Sequence, residues 1–275
     1  KSLVIIPTES PTAASIMEFK IPDPGCNQGD YAVGAVEYYN GRVYLGVTCT
    51  AESSRSKSNF FFHIYSFDLL SRTFNIVFST SFAREYWLAQ PGSQRPVSQW
   101  LTSISFVNDA FMIIGITDRT GHTYCDPVYP LTGQYGDVLM LYKSGNNWLL
   151  ENKGVAGTRS GNGPNHFEGP GGGEFFGDDY WIVGPSLHPE VSSGSVVVLP
   201  GTEEVVSACY DPIYESFSGG FHRYSTLNGD KLSSIQLYNK QSSAYGKSAG
   251  LGDLALACPP EPIAIGNYAW IDENE

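Results

Sequence analysis

The chain has 275 residues, of which 41% are hydrophobic, 16% charged and 13% aromatic, and its formal net charge is -12. That acidity excludes nucleic acid as a partner, because phosphate binding needs clustered Lys and Arg. It also excludes electrostatic attachment to an anionic membrane, and no run reaches the ~18 apolar residues of a membrane-inserted helix.

The 30 Gly and 17 Pro are spread along the chain. Aromatic, β-branched strands joined by Gly/Pro turns have this composition. Helical periodicity is nearly absent and alternation by two dominates. The expected class is all-β, and a chain of this length can hold one large domain.

In chain order, the first predicted strands are "SLVIIP" and "SIMEFKIP". Four more follow: "YAVGAVEYY", "GRVYLGVTCT", "FFFHIYSFD" and "FNIVFST". The first two of these are joined by Asn40-Gly41, a strong hairpin signal. A second set comprises "WLTSISFV", "AFMIIGITD", "GDVLMLYKS" and "NWLLENK". A third comprises "SGSVVVLPG", "EEVVSACYD", "GGFHRYSTL" and "KLSSIQLYN". Antiparallel strands in fours, one set every 40–50 residues or so, are the pattern of propeller blades. "EFFGDDYWIVG" supplies a further strand. "GLGDLALAC", together with the first two strands, is expected to complete a shared blade and close the ring. The expected architecture is therefore a β-propeller of four-stranded antiparallel blades, with a large β-sandwich as the alternative.

Five cysteines occur with no C-x-x-C pair, which disfavours zinc and thioredoxin-type chemistry. Cys26 lies in the turn "PDPGCNQGD" and Cys49 in a strand, and these two are the expected disulfide. The pairing of Cys125, Cys209 and Cys258 is open. A disulfide implies an oxidising compartment. Lys1 precedes no signal-peptide pattern, so the sequence reads as a mature or excised piece of something larger.

Several constellations of residues bear on chemistry. His166 and Glu168, in the Gly-rich stretch "GTRSGNGPNHFEGPGGGEFFGDDYW", can combine with His188 as a metal site or an acid/base pair. The alternative is ordinary hydrogen-bonded loop side chains. Asp118 and Arg119 end an apolar strand and are candidates to line a central pocket, or form a structural pair at a turn. Asp137 and Asp253 each follow a glycine just before an apolar strand and read as turn caps. Tyr86, Trp87 and Trp100 can stack on sugar rings or fill gaps between blades. No G-x-S-x-G elbow is present, and no convergent catalytic set is legible. A non-catalytic chain is therefore expected.

The ending "EPIAIGNYAWIDENE" resembles the opening of the SdrD B-like domains of bacterial surface proteins. The match rests on Ile265, Gly266, Asn267, Tyr268, Trp270, Asp272, Glu273 and Asn274, with Ala269 where Val is usual. Looser likenesses to β-rich modules preceding such domains run through "PDPGC", "YLGVTCT", "GDVLML", "GPGGGEFF", "SGSVVVLPGTEEVV", "SGGFHRY" and "YGKSAGLGDLALAC". The resemblance implies a propeller-like module over 1–258, a proline hinge over 259–262 and the start of an SdrD B-like domain over 263–275. It also implies calcium as the candidate cofactor, held in that next domain by Asp272 and Asn274, which alone do not complete a site. The expected role is an extracellular structural or adhesive module of a large bacterial surface or secreted protein. Its expected partners are the downstream repeats, copies of itself or a surface polysaccharide. The alternatives are a polysaccharide-acting propeller enzyme, which needs two carboxylates converging in one pocket, and a lectin-like binder.

Overall fold

The computed structural model describes residues 1–7, 9–27, 29–51, 53–54, 56–81, 99–118, 136–161, 169–177, 181–183, 186–188, 191–213, 218–239 and 251–257. The strands are β1 (Ser2–Ile5), β2 (Met17–Lys20), β3 (Tyr31–Tyr39), β4 (Arg42–Cys49), β5 (Phe61–Asp68) and β6 (Thr73–Thr80). Then come β7 (Gln99–Asn108), β8 (Phe111–Asp118), β9 (Asp137–Ser144), β10 (Asn147–Leu150), β11 (Val155–Ala156) and β12 (Arg159–Ser160). The remainder are β13 (Trp181–Val183), β14 (Ser186–His188), β15 (Ser192–Leu199), β16 (Glu204–Tyr210), β17 (Gly219–Ser225) and β18 (Lys231–Tyr238).

The three predicted sets each form a four-stranded antiparallel meander: β3-β4-β5-β6, β7-β8-β9-β10 and β15-β16-β17-β18. We call these sheets one, two and three. Their turns follow from local chemistry. Asn40 and Gly41 both have positive φ, at 48° and 80°, the geometry that lets a two-residue loop match the twist of its strands. Asn108 Oδ1 accepts the backbone N–H groups of Ala110 and Phe111 and so turns β7 into β8. Asp68 Oδ1 does the same for Leu70 and Ser71 between β5 and β6.

Sheet two lies between the other two. Met112, Ile114, Leu139 and Leu141 face Phe62, Ile64 and Phe78 of sheet one. Ile113, Val138 and Met140 face Val196, Val198, Val205 and Tyr224 of sheet three. Successive residues point to opposite faces, so a sheet buried on both faces needs an unbroken apolar run. That is why "FMIIGI" and "DVLML" do not alternate.

The first strands of the three sheets approach one another, β3 against β7 and β7 against β15, while the last strands β6 and β10 also touch. Glycine permits the closest approaches. A Cβ on Gly34 would lie 2.4 Å from the Leu101 carbonyl oxygen, and one on Gly115 would lie 2.2 Å from that of Gly194.

Among the described residues, the N-terminal strands β1 and β2 pair only with each other, and they pack on the outer face of sheet one. Residues 251–257 form no ladder with them, contrary to the expected shared blade, and carry no strand. They are held at the first strands by side-chain bonds instead. The Gly-rich stretch is anchored where it is described, because Phe175 and Phe176 are fully buried against Tyr224 and the second core. "EFFGDDYWIVG" does contribute a strand, β13, which pairs with β14. The expected hinge and following domain, residues 259–275, lie outside the described residues.

Cys26 and Cys49 form a disulfide, with Cα atoms 5.3 Å apart and a sequence separation of 23. A cross-link closing a loop of this size stabilises the fold by about 3 kcal/mol in the chain-entropy picture. It is the covalent sign of an oxidising compartment.

Candidate functional site

A cavity of about 400 Å³ opens where the three first strands meet. Its walls come from β3 (Val36, Glu37), β7 (Ser103 to Phe106) and β15 (Val196 to Val198), closed by Pro200 and by residues 253–256. A smaller cavity of about 250 Å³ lies on the other side of Asp253, lined by Gly34, Thr102, Thr117, Ser193 to Ser195 and Gly252.

Serines hold this axis together. The Val196 N–H donates to Ser103 Oγ at 3.2 Å, and the Val198 N–H donates to Ser105 Oγ at 3.0 Å. The Thr102 hydroxyl donates to the Gly194 carbonyl at 2.9 Å. These bonds tie sheet two to the backbone of β15. A bulge between Ser192 and Val196 frees residues 193–195 from the ladder with β16, which lets them turn toward the axis.

Asp253 pins the third side. Its Oδ1 accepts the Ser195 hydroxyl at 3.0 Å and its own neighbour's N–H, from Leu254, at 2.9 Å. Ser103 Oγ stands 3.3 Å from the same oxygen and 3.1 Å from the Val196 carbonyl. One hydroxyl proton serves only one of them at a time. Asp253 was expected to cap a turn before an apolar strand; 251–257 hold neither turn nor strand, and Asp253 is instead the contact between two sheets and that segment.

Glu37 faces the same cavity. Burial, and then the negative charge of Asp253, push its carboxyl up to about 7. A carboxyl raised toward neutral pH in a cavity is suited to donating or accepting a proton. None of the residues lining the larger cavity is a Lys, Arg or His.

Glu37 was not among the residues singled out from the sequence. In "YAVGAVEYY" simple alternation puts residues 31, 33, 35, 37 and 39 on one face. A bulge between Val33 and Ala35 breaks that phase. Tyr31 and Val33 therefore pack with β1 and β2, while Ala35 and Tyr39 pack with sheet two and carry Glu37 inward with them. No residue type marks this bulge in the sequence.

Of the residues singled out from the sequence, Asp253 lines both cavities. Asp118 is buried at the end of β8, opposite Gln99, and lines neither cavity; its neighbour Thr117 does. The strand turns its side chain to the face away from the axis. Asp118 instead raises the Tyr210 phenol, after burial and Tyr238. Asp137 is buried at the start of β9. His188 pairs with Trp181 in the β13–β14 hairpin. His166, Glu168, Arg119, Asp272, Asn274, Tyr86 and Trp87 lie outside the described residues. Trp100 is half-buried on β7. Among the described residues, no group of three or more His, Cys, Asp or Glu is arranged to hold a metal ion.

A second titratable group sits within sheet three. His222 Nε2 donates to the Pro212 carbonyl at 3.2 Å, and Nδ1 accepts from the Tyr224 hydroxyl. Burial, then the charge of Lys231, lower its imidazole to about 4. Both nitrogens are occupied, so this is a structural histidine.

The geometry defines an all-β protein of three packed antiparallel meanders whose first strands enclose an acidic, serine-lined cavity. No family model matches the chain. Among curated proteins it is similar to Colossin-A of Dictyostelium discoideum, at 27% identity over 309 residues, covering 100% of this chain and 3% of that protein. It is also similar to Colossin-B of the same organism, at 34% identity over 200 residues, covering 70% of this chain and 5% of that protein. The chain therefore spans 3% and 5% of the lengths of the two curated relatives.

Proposed function

We propose that the chain is a structural or adhesive module of a much longer extracellular protein, built as a small β-propeller around the axial cavity. The observation that carries this reading is the match to Colossin-A, which takes in all of this chain yet a small part of that protein. A self-contained unit embedded in a very long chain is how display and attachment modules are deployed. The disulfide agrees with an extracellular setting. First strands meeting first strands in chain order is compatible with a propeller, and the face-to-face packing of the sheets fits the sandwich alternative as well. The likeness of residues 265–274 to an SdrD B-like domain supports a following repeat, calcium included. Both relatives come from Dictyostelium, so the bacterial setting rests on that likeness alone.

Light scattering of the purified chain, with and without calcium, tests the structural role. Regular assemblies support it, and a calcium-indifferent monomer removes self-assembly by this module. Binding to immobilised polysaccharides then tests adhesion.

One observation favours a second reading, a glycan-acting enzyme. Glu37 and Asp253 line one cavity, and burial together with the nearby Asp253 raises the Glu37 carboxyl, as a glycosidase acid requires. Turnover of polysaccharide that disappears in Glu37→Gln supports it; binding without turnover leaves a lectin-like site.

A further inference from the structure

The disulfide has a histidine at one end. Cys49 is buried at the end of β4, and His63 Nε2 stands 3.6 Å from its Sγ. The other ring nitrogen, Nδ1, is 2.8 Å from the Ser79 hydroxyl. Burial lowers the His63 imidazole, so the ring is neutral near pH 7. With Ser79 donating to Nδ1, the ring proton sits on Nε2 and points at sulfur. The opposite end of the bridge differs. Cys26 is half-buried in a turn where Asp23 Oδ1 accepts the N–H groups of Gly25 at 2.8 Å and Cys26 at 3.3 Å.

Thiol–disulfide exchange goes by thiolate attack on one sulfur and departure of the other, and a better-stabilised leaving thiolate departs faster. Burial alone makes a cysteine a poor leaving group by raising its thiol. A donor on the sulfur reverses that.

We propose that Cys26–Cys49 is an exchangeable disulfide: small external thiols of the glutathione class attack Cys26, and Cys49 leaves as a thiolate stabilised by His63. In the first step the external thiolate forms a bond to Cys26 Sγ, and the Cys26–Cys49 bond breaks with its electron pair going to Cys49. The Cys49 thiolate accepts the His63 N–H and then takes a proton from solvent. A second external thiol attacks the mixed disulfide and releases Cys26 as a thiol. The balance is two external thiols oxidised to their disulfide and one protein disulfide reduced to two thiols. His63 is a positioning residue here, and Ser79 fixes its tautomer. The proposal is independent of the axial cavity and of the module's role.

The test treats the chain with reduced glutathione, quenches with an alkylating agent and maps the adduct by mass spectrometry. The expected first product carries glutathione on Cys26 and a free Cys49. His63→Phe keeps the ring stacked on Phe61 and should slow this step by about tenfold. In Cys26→Ser, the Cys49 thiol followed by thiolate absorbance should titrate about one unit higher once His63 is also Phe. A purely structural histidine would move neither the adduct position nor that titration. Glutathione on Cys49, or equal rates and equal titrations with and without His63, overturns the proposal. Should His63→Phe not fold, Ser79→Ala, which leaves Nδ1 without its donor, is expected to slow the same step, and an unchanged rate there overturns it.

Discussion

Sheet two and the two sheets that flank it share one topology, a four-strand meander, but they bury differently. Sheet two presents apolar side chains on both faces, and Met112, Ile113, Ile114, Met140 and Leu141 are all fully buried. Sheet one leaves Val36 and Tyr38 at 63% exposure, and sheet three leaves Ile235 and Leu237 exposed on β18. The flanking sheets supply Glu37, His63 and His222, inward groups with displaced titrations. The middle sheet is apolar through the centre of β8 and β9 and keeps its buried acids, Asp118 and Asp137, at the ends of those strands. Glu37 comes inward where a bulge re-aims its strand.

The comparison can be broken most directly in the middle. Ile114→Ala on the face toward sheet one, or Ile113→Ala on the face toward sheet three, should each cost about 2–5 kcal/mol in denaturant unfolding. If one of the two costs less than about 1 kcal/mol, that face of sheet two is not a closed core.

Next in size is the disulfide of sheet one. Cys26→Ser with Cys49→Ser should lower stability by about 3 kcal/mol while sheet three keeps its hydrogen-exchange protection.

The titrating groups sharpen the contrast through pH. His222 is lowered in the fold, so the unfolded chain binds its proton first. Its contribution is full above about 6.5 and is lost as pH falls toward about 4. Glu37 is raised in the fold, so its term runs the other way: present below the ordinary carboxyl value near 4.5 and lost as pH rises through about 7. Unfolding measured between pH 4.5 and 6.5 should show the two partly cancelling. In Glu37→Gln the rise of stability with pH should steepen across that window, and in His222→Asn it should flatten or invert. The Glu37 effect is the smaller, because that side chain is half-exposed and screened.

At the weak end, Leu237→Thr on exposed β18 should change stability by no more than about 0.5 kcal/mol. A larger loss would mean that this face is covered.

Much of the fold was legible because its signals are local. Asn40-Gly41 marked a hairpin, and the unbroken run "FMIIGI" identified a strand; read with its neighbours, it also identifies a sheet buried on both faces. The three sets of four strands came from counting such runs. The site was less legible because its residues are brought together by irregularities. Glu37 turns inward only through the bulge at Val33 and Ala35, and Ser195 reaches the axis only through the bulge in β15. Asp253 read locally as a turn cap before an apolar strand, but 251–257 form neither turn nor strand. Its long-range bonds to Ser103 and Ser195 span separations of 150 and 58 residues that no spacing rule encodes. The pairing of Cys26 with Cys49 was legible for the opposite reason: a turn and a strand close in the chain need only one loop to meet.

That loop has a mechanical consequence. Pulled from its two ends, the chain cannot yield the 23-residue separation closed by Cys26–Cys49, which withholds roughly 80 Å of contour length at about 3.4 Å per extended residue. Opening the bridge would release that slack in a single step. Under load the chain would then behave as an extensible link whose reach is set by the thiols around it.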